Sequence, residues 1–350
     1  MGVNTIIPMN KKNILVIGGG SWGTAFANYL AASHSQDENY PVKIWIREKE
    51  IIDTLRQTHE NPVFLPGIPL SPRLVPVEDL VSESRAADIL IFAVPSKYIR
   101  KTFVELKGIA ESKWLVNLSK GFEAISMKTI SQVAAEVYGD DIYQRWLTIS
   151  GPSFARELAS DHPTVVVASS KNSNYLNEIQ NDFSSDILRI YRTDDLIGIE
   201  VAGSMKNVMA IASGIIKGCG YGYNTTASLV TRASVEISRF GLKMGANKET
   251  FWGLAGIGDL MLTCFGPLSR NFQLGERIAK GETLDQIEKS SAMVAEGVET
   301  TKAIKPLADK LDIEMPISNE VYEILFNHKN PLEALKGLMK RSLKKEWNIN

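Results

Sequence analysis

The stretch Ile14-Leu-Val-Ile-Gly18-Gly19-Gly20-Ser21-Trp22-Gly23-Thr24-Ala25 decides the reading of the first half of the chain. Four apolar, mostly β-branched residues read as a buried strand. Three glycines then read as a tight turn, and a helix-forming run begins at Ser21. Gly18, Gly20 and Gly23 carry the G-x-G-x-x-G spacing. In that pattern the first glycine permits the turn, the second leaves room for a pyrophosphate, and the third lets the helix pack closely on the strand. The helix start then offers free N–H groups and a favourable dipole to a negative charge. The same pattern also arises as a glycine turn kept only for packing, so the flanking sequence has to decide.

Downstream, short apolar runs at 42–47, 88–94, 114–118, 147–150, 164–168 and 187–191 alternate with helical segments. Strands that read as continuous apolar runs are covered on both faces, and their alternation with helices predicts a mostly parallel sheet. After about residue 192 the strand pattern stops. Helical periodicity takes over at 196–217, 225–243, 271–280, 298–310 and 317–326. The expected fold class is α/β, with an N-terminal Rossmann-like dinucleotide-binding domain at 1–193. An all-helical C-terminal, substrate-binding domain at 194–350 follows, and the cleft between the two is the expected ligand site.

The chain has 350 residues, with 39 Lys and Arg against 40 Asp and Glu, a formal charge of −1. No overall basic field argues for nucleic acid or an anionic membrane, so an anionic ligand must be held by local groups. Two cysteines, Cys219 and Cys264, exclude a disulfide framework and a four-cysteine metal site, and fit the cytoplasm. Residues 1–12 contain no apolar run long enough for a secretory signal, and 208–216, the most apolar helical run, is too short to span a bilayer. The four histidines, His34, His59, His162 and His328, are scattered outside every motif, and no metal is expected.

Several polar groups stand where a bland core or loop is expected. The end of the second strand reads Trp45-Ile46-Arg47-Glu48. An arginine there accepts the 2′-phosphate of NADP, whereas an acidic residue binds the ribose hydroxyl of NAD. Arg47 favours NADP, and Glu48 beside it leaves NAD open. Lys120, in Asn117-Leu-Ser-Lys-Gly121, follows a strand end and is placed equally well for a cleft or for solvent. Gly151-Pro-Ser153 follows another strand and, taken alone, reads as a plain turn. Lys206 lies in a helix of small and apolar residues, Ala202-Gly-Ser-Met-Lys-Asn-Val-Met-Ala210. Burial there would lower its pKa towards the range useful for proton transfer, although lysines also reach the surface from such positions. In Gly256-Ile-Gly-Asp259-Leu-Met-Leu-Thr263-Cys264-Phe-Gly-Pro-Leu-Ser269-Arg270-Asn271, Ser269 reads as an N-cap. Arg270 and Asn271 then fall in the first helical turn, a phosphate-cradle pattern or an ordinary capped helix. Asp259 is suited to a lysine or a substrate hydroxyl, not to a phosphate. The stretch Val294-Ala-Glu296-Gly-Val-Glu-Thr300 reads as a helix start, more simply a solvated one.

Together these segments resemble the bacterial type of NAD(P)-dependent glycerol-3-phosphate dehydrogenase. The matching pieces are G-G-G-S-W-G-T-A, S-K-G-F-E, G-P-S-F-A-R-E, K-N-V-M-A-I-A-S-G, G-I-G-D-L-M-L-T-C with S-R-N beyond it, and A-E-G-V-E-T. They occur in family order from residue 18 to 300. The resemblance implies reversible hydride transfer between NAD or NADP and a small phosphorylated substrate. The reaction would interconvert dihydroxyacetone phosphate and sn-glycerol 3-phosphate and supply glycerophospholipid synthesis. It implies Lys206 as the catalytic proton acceptor, with Lys120 and Asp259 also catalytic and all three in contact with the substrate. Gly151, Ser153, Thr263, Ser269, Arg270 and Asn271 would line the substrate site. Gly18, Gly20, Ser21, Trp22, Gly23, Arg47, Ala155, Val294 and Glu296 would contact the cofactor, with Lys120 and Arg270 shared. A cytoplasmic homodimer is also implied. Ala233 departs from the family, whose members often carry glycine there, and the loop 33–40 is long and polar. A β-hydroxyacid dehydrogenase of related architecture and a silent dinucleotide sensor are the competing readings. Ser269-Arg-Asn argues against the first, and the joint presence of Lys120, Lys206 and Asp259 argues against the second.

Overall fold

The structure is a computed structural model that describes residues 12–33, 41–290, 295–343 and 345–346. Val294 and the loop residues 34–40 lie outside the described residues. Compactness divides the chain into two units, Met1–Ser119 with Ile130–Asp194, and Lys120–Thr129 with Asp195–Asn350. The sequence expectation placed Lys120 with the first domain, but the short segment that carries it packs with the helical unit.

The first unit is built on an eight-stranded sheet. Its strands are β1 (Ile14–Ile17), β2 (Val42–Trp45), β3 (Val75–Val77), β4 (Ile89–Phe92), β5 (Trp114–Asn117), β8 (Trp146–Ser150), β9 (Thr164–Ser169) and β10 (Leu188–Thr193). Two further strands, β6 (Phe122–Glu123) and β7 (Lys128–Thr129), form an antiparallel ribbon in the second unit. The order across the sheet is β10-β9-β8-β5-β4-β1-β2-β3. All neighbours are parallel except β8 and β9. The order 3-2-1-4-5 is that of a doubly wound dinucleotide-binding sheet. β1 and β4 are buried at every position, as their apolar runs require. On one face of the sheet, Phe26 and Leu30 of the helix Ser21–Ser33 pack with Phe183 of Ser173–Phe183 in a single apolar cluster.

The second unit is helical. Its centre is Leu196–Gly218, whose residues are buried almost throughout. By length and composition this helix is apolar enough to cross a membrane, a longer window than 208–216, but its surface is covered by protein. Asp195 caps its N-terminus, accepting from Gly198 N at 2.9 Å, and also holds Asn247 N and Thr250 Oγ. The helix Arg270–Ala279 crosses it at very close range. A Cβ on Gly214 would lie 1.9 Å from Phe272 O, and one on Gly275 would lie 2.1 Å from Ile211 O. Only glycine at both positions lets the two backbones meet. That crossing sets the start of the second helix, with Arg270 and Asn271, beside the lysine-bearing one.

Candidate functional site

In the first unit the glycine turn has the geometry its spacing predicts. Gly18 has φ +121°, and a Cβ there would strike Ala93 O at 2.5 Å. A Cβ on Gly23 would lie 2.1 Å from Gly18 O, so the helix start sits directly on the turn. The corresponding direction from Gly20 is open, with nothing within 4 Å. This open approach beside a helix start fits a dinucleotide pyrophosphate. Ser21 and Trp22 form the first helical turn, and the Trp22 ring rests 5.9 Å from that of Phe26. Asn61, which no motif singled out, is fully buried and donates to Gly19 O at 3.0 Å and Thr24 Oγ at 2.9 Å, bracing the turn from behind.

Arg47 stands just past β2 and is 67% exposed, with Nη2 2.6 Å from Glu48 Oε1. Its charge is therefore partly compensated by the residue that left the cofactor choice open. Gly151 follows β8 with φ +136°, and Ser153 Oγ donates to Gly151 O at 2.9 Å. Ala155 begins the short helix Ala155–Ala159.

In the second unit two predicted lysines converge on one predicted carboxylate. Asp259 is fully buried and begins the helix Asp259–Phe265. Its Oδ1 accepts from Lys206 Nζ at 2.5 Å, and its Oδ2 accepts from Lys120 Nζ at 2.7 Å. Lys206 also donates to Thr263 Oγ at 2.9 Å, and Thr263 Oγ in turn donates to Asp259 O at 2.6 Å. Thr263, expected near a phosphate, thus holds the lysine. The wide π-helical turn Leu254–Gly258 aims Asp259 inward, with a sharp departure from helical geometry at Gly256. Lys120 is held in reach because Gly121 N donates to Ser204 Oγ at 2.9 Å, two residues before Lys206. Phe122, fully buried, packs edge-on against Phe240 and anchors the same segment.

Burial lowers the Lys206 pKa to about 8; the Asp259 carboxylate raises it and the Lys120 ammonium lowers it again. An ammonium of that acidity exchanges its proton near neutrality.

Ser269 caps the helix Arg270–Ala279 through Phe272 N. Asn271 is already engaged: its Nδ2 donates to Asn207 Oδ1 at 3.0 Å, and its Oδ1 accepts from Gly297 N at 2.9 Å. It ties three helix segments together. Asn207 was not picked out in the sequence, although it stands next to Lys206. Glu296 begins the helix Glu296–Lys310. Burial pushes its carboxyl up to about 7, against the opposing pull of Arg270, Lys120 and Lys206. Burial in turn lowers the Arg270 pKa, opposed by Glu296. Glu296 therefore feels three cations, Arg270, Lys120 and Lys206, of which the two lysines also share the buried Asp259 carboxylate. Cys264 lies close enough to feel Lys206 and Asp259, but burial pushes its thiol up to about 12, so it stays protonated. No cluster of metal-ligating side chains occurs among the described residues.

The family model described as NAD-dependent glycerol-3-phosphate dehydrogenase N-terminus matches residues 13–176, and the one described as its C-terminus matches residues 195–336. The chain belongs to the glycerol-3-phosphate dehydrogenase family. A relative from Citrifermentans bemidjiense, named glycerol-3-phosphate dehydrogenase (NAD(P)+), is 42% identical over 96% of this chain and 99% of its own length. Among solved structures, glycerol-3-phosphate dehydrogenase from Coxiella burnetii superposes with a TM-score of 0.88 at 32% identity, covering 95% of this chain and all of its own. The enzyme from Saccharomyces cerevisiae gives a TM-score of 0.78 at 26% identity, covering 96% of this chain and 100% of its own. As in that family, the parallel sheet precedes the helical part.

Proposed function

We propose that the chain is a cytoplasmic, homodimeric glycerol-3-phosphate dehydrogenase. It interconverts dihydroxyacetone phosphate and sn-glycerol 3-phosphate with NAD or NADP, and its product supplies glycerophospholipid synthesis. The observation that carries this reading is the lysine pair on one buried carboxylate, with Arg270 and both lysines acting together on the Glu296 carboxyl. When bound, a reduced nicotinamide would supply a hydride to the substrate carbonyl carbon. Lys206 polarises the carbonyl oxygen and transfers a proton to it as negative charge develops there. Lys206 is left as a neutral amine, which regains its proton from solvent. In the oxidative direction the neutral amine accepts the hydroxyl proton.

Lys120 adds positive charge beside the same oxygen and discourages a second proton on the pair. Asp259 holds both ammonium groups in place; in a buried site such preorganisation avoids a reorganisation cost during reaction. Arg270 binds the substrate phosphate, aided by the Ser269 hydroxyl and the remaining amide hydrogen of Asn271, while Thr263 lines the substrate site by holding the Lys206 ammonium. Gly151 and Ser153 complete the substrate contacts. Gly18, Gly20, Ser21, Trp22, Gly23, Arg47 and Ala155 hold the dinucleotide, with Val294, Glu296, Lys120 and Arg270. Binding energy from the phosphate serves to align the reacting carbon.

The test is loss of nicotinamide absorbance when dihydroxyacetone phosphate is added to purified protein with NADH or NADPH. Turnover with either supports the proposal. Turnover only with a non-phosphorylated keto acid, or with no ketone at all, would remove it.

A further inference from the structure

We propose that Lys97, acting with Arg47 across the ring of Tyr98, makes the chain select a dinucleotide phosphorylated at the 2′ position. This rests on the dinucleotide-dependent reading above and adds a specificity-determining residue that no motif marked.

β2 and β4 both pair with β1 in parallel, one on each side. Residues just past their carboxyl ends therefore flank the glycine turn that follows β1. Past β2 come Arg47 and Glu48; past β4 comes the helix Ser96–Glu105, with Lys97 and Tyr98 in its first turn. The Tyr98 ring, 39% exposed, gathers two cations. Arg47 Cζ lies 5.7 Å from its centroid and Lys97 Nζ lies 4.9 Å from it. Cation–ring attraction holds long, otherwise mobile side chains in one region.

The two cations differ in what faces them. Arg47 donates through Nε at 3.1 Å and Nη2 at 2.6 Å to one oxygen of Glu48. Among the described residues, Lys97 has no carboxylate in ion-pair reach. Arg47, Lys97 and Glu48 sum to one positive charge; without Lys97 the sum is zero. The ribose of the adenosine half lies beyond the end of the second strand in a sheet of this order. A 2′-phosphate there carries close to two negative charges, while a 2′-hydroxyl carries none. Lys97 therefore stabilises the phosphorylated form and is nearly indifferent to the other. Glu48 would favour a bare ribose hydroxyl, but its Oε1 is already taken by Arg47.

Adenosine 2′,5′-bisphosphate and adenosine 5′-monophosphate serve as probes, because they carry the distinguishing phosphate without the nicotinamide. Titration calorimetry should show the parent binding the first at least about tenfold more tightly than the second. Lys97→Met should lose about tenfold for the bisphosphate and leave the monophosphate unchanged, and Lys97→Arg should restore the preference. Equal affinity of the parent for both probes would overturn the proposal, as would an equal loss of both in Lys97→Met. Parent protein that still turns over dihydroxyacetone phosphate in that case shows that Lys97 alone was misassigned, whereas no turnover with NADH or NADPH removes the functional reading as well.

Discussion

Lys206 and Asp259 meet at 2.5 Å, Nζ to Oδ1, although 53 residues separate them in the chain. The carboxylate is fully buried, and its second oxygen takes Lys120. Two ammonium groups on one carboxylate leave a net positive charge in a place with little water. That arrangement resists holding both protons, and Lys206, the more buried lysine, is the one whose proton is loosened.

A pH profile reads this directly. Reduction needs the Lys206 ammonium, so its rate should be full below the Lys206 pKa and fall as pH rises through about 8. Oxidation needs the neutral amine and should rise through the same range. Steady-state rates in both directions between pH 6 and pH 10, roughly, would show the two limbs crossing. Lys206→Met should lower turnover in both directions by about a thousandfold or more while dinucleotide binding stays near that of the parent. Parallel limbs in the two directions would exclude Lys206 as the proton carrier.

Asp259→Asn removes the attraction that keeps the Lys206 pKa from falling further. The alkaline limb for reduction should move to lower pH by about one pH unit or more. Turnover at neutral pH should drop with it, and reduction should recover partly in more acidic buffer. The variant should also be less stable, by about 3 kcal/mol, because two nearly buried ammonium groups lose their counter-charge. Chemical denaturation and the pH profile together check both. An unchanged limb would mean that Asp259 does not tune the lysine.

Much of this site was legible in the sequence, but as separate pieces. The strands β1, β4, β5, β8 and β9 announce themselves as mostly apolar runs because both their faces are covered, and β10 by the alternation of buried Leu188 and Ile190 with exposed Arg189 and Tyr191. β3 does not, because it is three residues long, includes Pro76 and exposes Val75. Lys206 stands out as a charge in an apolar helix, and Ser269 as a cap. The convergence of Lys120 and Lys206 on Asp259 was not readable, since it depends on the wide turn at 254–258 and on a hydrogen bond from Gly121 to Ser204. Asn61 and Asn207 were missed for a simpler reason. A lone asparagine carries no periodicity, and its value lies in which carbonyls and amides the fold brings to it.

Arg270→Ala should act mainly on substrate affinity. A charge-assisted pair to phosphate accounts for roughly 2 to 3 kcal/mol, so KM for dihydroxyacetone phosphate should rise about a hundredfold. Arg270→Lys should recover only part of this, because a single ammonium cannot present a planar pair of donors. Loss of the guanidinium should also drive the Glu296 carboxyl above its value of about 7, since Arg270 is the largest of the charges pulling it down. A KM equal to that of the parent would remove Arg270 from the phosphate site.

Gly214→Ala tests whether the helix crossing positions the phosphate-binding end of the site. The new Cβ would lie 1.9 Å from Phe272 O, a backbone atom that no rotamer change can move. The helix Arg270–Ala279 must then shift off Leu196–Gly218, at a cost of about 2 to 4 kcal/mol. Its first residue is Arg270, so the shift also displaces the proposed phosphate ligand relative to Lys206. Thermal melts should therefore show destabilisation. At a temperature where the variant is still folded, KM for dihydroxyacetone phosphate should rise while affinity for the dinucleotide fragment adenosine 5′-monophosphate stays unchanged. A variant that melts early but keeps its KM would mean that the crossing supports the fold without setting the site.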